Sequence, residues 1–571
     1  MTVDVLLLST PNKNIDYPGL SLPALTAALR QRGISVEQHD LNVKMRDEIL
    51  TAAGLSGLLE STLPSYAERF RGSEVELRRL VSLYEFLRTL RAEEGFQALE
   101  DTKRRAQARD YRWVFESDAR FRQFLSLFKI NRALHYLFDI AVTMSYQHVD
   151  DYLTEKLRVA LDGVRDEVLA KNPTIVGFSV LDIQRKFTLR TIEAIRQDFR
   201  GKIVVGGADP TRFPREYMEW FEAIDAVFYR EAENSLPLYV ESLEGPSCVT
   251  TKIPGVFCRD DQGRVCSSRH QPVVLSELPS PDFRGLPLNL YLTPALPVEA
   301  SRGCYYHRCT FCIHWDTYFD FRTRDPAKVV DDMRALASQH GTKFFHFTDD
   351  CLPVPNALRL AKLIRESGLN IRWLSYFRLE DALDKNALKD VWDAGGRVLE
   401  MGLESASDRM LTLMNKNISV EVADRIVKDA ASIGLLVKLF MFHGYPGETL
   451  ADAERTVRFT EEHIIARRIR PFLPLRNRFE LLRGSQVYES VRSGREEMIA
   501  RYWLPSGLFS IRAEYELSSE EDPTRDLISG FVERIRRYMR EKKIYNTDDE
   551  NVMLDLLILD SRPTKAGWDC I

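Results

Sequence analysis

Cysteine is scarce in this chain: there are eight in 571 residues, and none precedes Cys248. So thin a supply excludes a disulfide scaffold. No apolar run is long enough to span a bilayer, and the opening MTVDVLLLST reads as a buried strand, not a secretion signal. An excess of charge of one sign is missing too. Lysine and arginine total 79 against 84 acidic residues, so no overall basic field draws in nucleic acid. A soluble cytoplasmic protein of three or four domains is the expectation.

Three of the eight cysteines nevertheless crowd into nine residues, Cys304, Cys309 and Cys312 in EASRGCYYHRCTFCIHWD. Three thiolates can hold three irons of a four-iron cluster, leaving the fourth iron open for chemistry. Structural zinc competes, with His307 or His314 as the fourth ligand. The flanking Arg302-Gly303 and the Phe311 between the last two cysteines are unlike a zinc knuckle. Cys248, Cys258 and Cys266 are spaced too widely for a compact cluster, and Cys570 reads as incidental.

The amino-terminal run VDVLLL is a continuous apolar strand that breaks at Thr10-Pro11-Asn12. A helix follows Pro18-Gly19 and ends at Gly33, and ISVEQHD starts a second strand. The same alternation resumes with TIVGFSV, FTLRTIEAIRQDF, KIVVGGADPT and DAVFYREAENSLPLYVESL. Residues 1–45 and 166–245 therefore predict an α/β doubly wound, Rossmann-like sheet, with its ligand site at the carboxyl ends of the strands, where Thr10, Ser179 and Gly206-Gly207 fall. Between them, 46–165 reads as a helical insertion poor in glycine and proline, either a cap or a dimer surface. His135 and His148 within it read as packing or surface residues. The proline-punctuated 246–297 reads as a connector with two short strand-like pieces. From 298 to 465 strands and helices alternate as in a parallel barrel, with Asp349-Asp350, Arg378, Glu404-Ser405 and His443 to Glu448 closing strands. Residues 466–571 predict one more strand, a Gly484-Ser485 turn and a basic amphipathic helix.

With these segments in this order, the chain resembles the radical S-adenosylmethionine (SAM) superfamily, in the subgroup with an amino-terminal cobalamin-binding domain. The resemblance covers 1–45 and 166–465 and is most specific in the cysteine loop, GLESASDRMLTLMNK and GYPGET. It implies a Rossmann-like cobalamin domain with a helical insertion, then a partial (β/α)6 TIM-like barrel and a variable carboxyl-terminal region. It also implies a 4Fe-4S cluster on Cys304, Cys309 and Cys312, with SAM on the open iron as the source of a 5'-deoxyadenosyl radical. The superfamily's usual spacing is C-x3-C-x2-C, whereas four residues separate Cys304 from Cys309. One extra loop residue leaves the ligand count unchanged. By the resemblance, Phe311 would lie against the adenine, and Asp349 and Asp350 would bind the methionine amino group or the ribose. Glu404 and Ser405 would bind the ribose and carboxylate, Arg378 would complement a carboxylate, and Tyr445-Pro446-Gly447 would bring backbone close to the nucleoside. Each has a plainer counterpart: a barrel-mouth filler for Phe311, a helix cap for either aspartate, a polar network for Glu404 and Ser405, a salt bridge for Arg378.

The motif D-x-H-x-x-G, whose histidine replaces the lower ligand in other cobalamin enzymes, is absent, and His39 precedes Asp40 in the wrong order. Cobalamin would then lie base-off with water or nothing below. Its contacts are expected at Thr10, Pro11, Ser179, Val180, Gly206, Gly207 and Glu231, although REAE stands where the family often has GEGE. The implied function is radical methylation of an unactivated carbon in a specialised metabolite through methylcobalamin. A non-methylating cyclisation or rearrangement with the same cofactors is the runner-up. Radical methylthiotransferases acting on RNA carry a second, early cysteine set that this chain lacks, and a non-catalytic iron-sulfur protein is the remaining reading. The partners expected are a small-molecule or peptide substrate and an external one-electron reductant of flavodoxin or ferredoxin type, with neither membrane nor nucleic acid.

Overall fold

The computed structural model describes residues 3–12, 16–69, 74–243, 252–314, 318, 320–470, 475, 477–495, 498–504, 510–517, 524–542 and 560. Cys248 and Cys570 lie outside the described residues. The chain forms two compact units, Met1–Pro294 and Ala295–Ile571.

In the first unit, β1 (Val5–Ser9), β2 (Val36–Asp40), β3 (Ile175–Ser179), β4 (Lys202–Gly206) and β5 (Ala226–Phe228) pair in parallel in the order β2-β1-β3-β4-β5. Buried Val5, Leu7, Ile175 and Val204 explain the continuous apolar runs, since a parallel sheet is covered on both faces. This is the flavodoxin-like order, whose direction of winding reverses between β1 and β3. Part of the expected connector joins the sheet instead. β6 (Val256–Arg259) and β7 (Val265–Ser267) form an antiparallel hairpin beside β5.

Helices fill the interval between β2 and β3, the longest being Asp118–Tyr146, which buries Phe121, Phe124, Phe128, Leu134 and Phe138. They are tied into this unit by hydrogen bonds to its last residues: Arg109 Nη2 donates to Leu288 O at 2.6 Å and the Tyr111 hydroxyl to Leu292 O at 2.8 Å.

The second unit opens with β8 (Leu296–Val298) and a two-stranded antiparallel pair, β9 (Ser301–Arg302) and β10 (Arg322–Thr323). Then β11 (Phe344–Phe347), β12 (Arg372–Phe377), β13 (Gly396–Glu404) and β14 (Leu436–Met441) join β8 in a parallel sheet ordered β8-β11-β12-β13-β14. Helices Pro326–His340, Val354–Glu366, Lys385–Asp393, Val420–Ile433 and Leu450–Ile465 connect or follow these strands. The sixth barrel position shows as two parallel bridges, Val437 with Ile469 and His443 with Arg478. Beyond it β15 (Leu481–Leu482), β16 (Ile499–Trp503) and β17 (Arg512–Leu517) make an antiparallel sheet ordered β15-β17-β16, followed by helix Arg525–Glu541. Among the described residues no helix is long and apolar enough to cross a membrane.

Candidate functional site

The entrance to the cysteine loop is braced from behind. Asp349, fully buried after β11, accepts the Ala300 amide at 3.1 Å and the Ser301 hydroxyl, and Arg302 Nε meets Glu299 Oε1 at 2.8 Å. Burial pushes the Asp349 carboxyl up to about 7. The far side of the loop is docked through Thr310: its amide donates to Met414 O at 3.1 Å, its carbonyl accepts from Val487 N at 3.0 Å, and its hydroxyl lies 2.7 Å from that of Tyr445. Within the four-residue gap His307 takes a left-handed turn at φ 54°, which accommodates the longer spacing.

Two cations face the thiols. Lys416 is buried with Nζ 2.9 Å from Glu404 Oε1 and 5.8 Å from the Phe311 ring centroid. Burial alone would lower it, but the Glu404 carboxylate and then Cys309 hold it above its ordinary value. The Arg378 guanidinium stacks 3.7 Å over Tyr306 and donates to Lys416 O at 2.6 Å. Glu404 itself sits at φ 67° at the end of β13, beside a register shift, a strained position for a residue with a side chain. Cys304 is drawn down to about 6 by a hydrogen bond with the Cys351 thiol, against burial. Burial raises Cys309, and raises Cys312 to about 12.

Among the described residues no group of three or more His, Cys, Asp or Glu side chains is gathered closely enough to hold a single metal ion. His314 Nδ1 instead contacts Asp350 Oδ1 at 3.1 Å. Three cysteines beside Lys416 and Arg378 fit an anionic four-iron cluster with one iron lacking a protein ligand. Two buried polar atoms nearby have no protein partner, Asp350 Oδ2 and Arg378 Nε. A carboxylate oxygen and a guanidinium nitrogen complement the ammonium and carboxylate of an amino-acid ligand such as SAM.

Of the residues expected around SAM, Phe311 packs edge-on to Phe442 at 5.3 Å, and Tyr445 reaches the loop through Thr310. Asp350, Arg378 and Glu404 point charge toward the loop. Three others serve the scaffold. Asp349 is the brace just described; Ser405 is fully buried with its hydroxyl 3.0 Å from that of Thr456; and Gly447, after Pro446 at φ 83°, leaves room for Met498, whose sulfur would lie 2.7 Å from an added Cβ. Lys416 and Cys351 escaped the sequence reading. Lys416 lies inside the quoted GLESASDRMLTLMNK, and Cys351 directly follows the strand-end aspartates, a position that could have flagged it.

In the first unit the ends of β1, β3 and β4 are stitched together. The Thr10 and Thr188 hydroxyls meet at 2.7 Å, Gln184 Nε2 donates to Thr10 O at 2.6 Å, and Val180 N donates to Gly206 O at 2.8 Å. Pro11 and Val180 are buried, while Ser179 is half-buried with its hydroxyl 3.0 Å from that of Ser21. Gly207, at φ 104°, lets the β4 end press on Val180, whose carbonyl oxygen would lie 2.7 Å from an added Cβ. These hydroxyls and close-packed backbones lie at the carboxyl ends of β1, β3 and β4, beside the β1/β3 crevice where a doubly wound sheet places its ligand. Glu231 sits elsewhere, buried and accepting the Val273 amide at 3.2 Å.

Residues 298–460 match the Radical SAM superfamily. The chain is 27% identical to an uncharacterized methyltransferase of Pyrococcus horikoshii over 304 residues, 51% of this chain and 64% of that protein. It is 23% identical to the anaerobic magnesium-protoporphyrin IX monomethyl ester cyclase of Rubrivivax gelatinosus over 317 residues, 53% of this chain and 56% of that one. It thus spans less than two thirds of either relative. Among solved structures it resembles the cobalamin-dependent S-adenosylmethionine radical enzyme OxsB with aqua-cobalamin and S-adenosylmethionine bound, at TM-score 0.59 and 16% identity, covering 99% of this chain and 72% of that one. Residues 298–460 therefore form a domain that matches the Radical SAM superfamily, and the fold of the chain is similar to that of the cobalamin-dependent enzyme OxsB.

Proposed function

We propose that the protein is a cobalamin-dependent radical SAM enzyme that methylates an unactivated carbon of a small molecule or peptide. The observation that carries this reading is the open thiol triplet beside two unpartnered polar atoms of opposite character, Asp350 Oδ2 and Arg378 Nε. When bound, the cluster and SAM supply a 5'-deoxyadenosyl radical, and cobalamin supplies the transferable methyl group. The protein's part is to hold and shield. Cys304, Cys309 and Cys312 hold three irons; Asp350 receives the SAM ammonium; Arg378 and Lys416 draw in its carboxylate; Phe311 covers the adenine and excludes water. Thr10, Pro11, Ser179, Val180, Gly206 and Gly207 border the cobalamin, and Glu231, buried against Val273, stands apart from them. The substrate is met by Phe479, Tyr488, Tyr502 and Tyr515, which cluster with Phe311 and Phe442 in an aromatic wall suited to an organic molecule. Electrons come from an external one-electron reductant.

Incubating the reduced holoenzyme and substrate with SAM labelled in its methyl group tests the reaction. Label passing through cobalamin into product is expected. Release of 5'-deoxyadenosine with no label in either would replace methylation by a cyclisation or rearrangement, the second reading, which the likeness to the cyclase favours.

A further inference from the structure

The residues leaving β1 are fastened to the helical insertion as well as to the sheet. Asn12, only 4% exposed, sits at φ 85°, a left-handed conformation that asparagine tolerates and that persists where the surroundings fix it. Its amide nitrogen donates to Ile183 O, beyond β3, at 2.6 Å and lies 3.4 Å from Asp139 Oδ1. With that nitrogen committed as donor, its oxygen must accept, and His135 Nδ1 lies 3.0 Å away. The His135 tautomer is therefore the one protonated at Nδ1. Burial, reinforced by the Arg46 charge, holds the imidazole down at about 3, so it stays neutral. His135 and Asp139 are one turn apart on the same face of helix Asp118–Tyr146. Asp139 Oδ2 also takes Lys186 Nζ at 2.9 Å, at the start of the helix after β3. The insertion thus grips both chain segments that border the β1/β3 crevice.

We infer that the helical insertion is a clamp for the cobalamin site, with His135 and Asp139 as positioning residues that set the β1-end loop Thr10–Asn12 through Asn12. This rests on the cobalamin reading above. Neither residue needs to touch the cofactor. By fixing the loop beforehand they spare its ordering on binding, which appears as affinity.

The test is titration of the full-length protein with aquacobalamin, followed by visible absorption, alongside the thermal midpoint and the iron content. The wild type is expected to bind. His135→Ala with Asp139→Ala should weaken binding about tenfold, the effect of one lost net hydrogen bond or slightly more, with iron content unchanged. His135→Asn, whose amide places an N–H donor where Nδ1 stood, should restore binding to within about threefold. Should the double variant fail to fold, Asn12→Gly relaxes the left-handed backbone while deleting the side-chain bonds to Ile183, Asp139 and His135, and at least the same tenfold weakening is expected. A wild type that does not bind overturns the cobalamin reading and the clamp with it. A binding wild type with unchanged affinity in the double variant or in Asn12→Gly overturns the clamp alone, as does a His135→Asn variant as weak as the double variant.

Discussion

The cysteine loop and the β1/β3 crevice are both strand-end sites, yet they are built in opposite ways. The loop is held by charge: Lys416 against Glu404, Arg302 against Glu299, and a buried Asp349 behind. The edges of the crevice meet chiefly through neutral contacts, hydroxyl to hydroxyl at Thr10 and Thr188 and amide to carbonyl at Asn12 and Ile183, with the ion pairs Lys186 to Asp139 and Arg185 to Asp209 set behind them. An anionic cluster needs nearby positive charge that buried carboxylates must then balance, and that chemistry marks the sequence. A bulky cofactor lying on backbone needs shape, which marks it far less. The loop should therefore fail through lost ligands and stranded charges, and the crevice through small displacements.

The largest break should come at the cysteines. Replacing Cys304, Cys309 or Cys312 with Ala should abolish stable cluster binding, read as iron per chain and as the visible absorption of anaerobic protein. Cys351→Ala, which removes a thiol that hydrogen-bonds Cys304 and Tyr305, should keep the full iron content. Retention of the cluster in a triplet variant, or its loss with Cys351→Ala, would redraw the ligand set.

Next comes the stranded charge. Lys416→Met leaves the Glu404 carboxylate buried without its cation and should cost about 3–5 kcal/mol in denaturant unfolding. Adding Glu404→Gln should recover part of that cost, because the lone buried charge is then gone. If the double variant is worse than either single one, the pair is not what fixes the loop wall.

How far each region could be read in advance follows the same division. The alternating strands and helices were legible because parallel strands are apolar throughout and their helices have one apolar face, as in Val5–Ser9 and Arg185–Arg196. The triplet was legible because its ligands are close in sequence. Sheet order was not. That β1 lies between β2 and β3, and that residues 256–267 pair as a hairpin beside β5, depend on contacts far apart in the chain. Asp349 and Asp350 are adjacent and chemically identical, yet one turns into the scaffold and the other toward the thiols, and nothing local distinguishes them. His135 was read as packing, and it does pack, but its hydrogen bond to Asn12 spans an interval no motif covers.

A pH series separates the two modes of support more finely. Asp349 titrates near 7 when folded against about 4 when unfolded, so the native state keeps a proton that the unfolded chain has lost. Its contribution is fully present below pH 4 and falls as pH rises toward 7, by an amount on the order of 2–4 kcal/mol. Asp349→Asn should flatten that slope in thermal unfolding between pH 5 and 8. An unchanged slope would mean that another buried group sets it.

The smallest effect should fall on the crevice. Gly207→Ala places a Cβ 2.7 Å from Val180 O at φ 104°, forcing the ends of β3 and β4 apart at a cost of about 1–3 kcal/mol. The displacement is local, so cobalamin affinity should drop while iron content stays at the wild-type level. The contrast between the regions depends on that asymmetry. If Gly207→Ala lost iron as readily as cobalamin, crevice and cysteine loop would share one support, and the division between charge-held and shape-held sites would have to be given up.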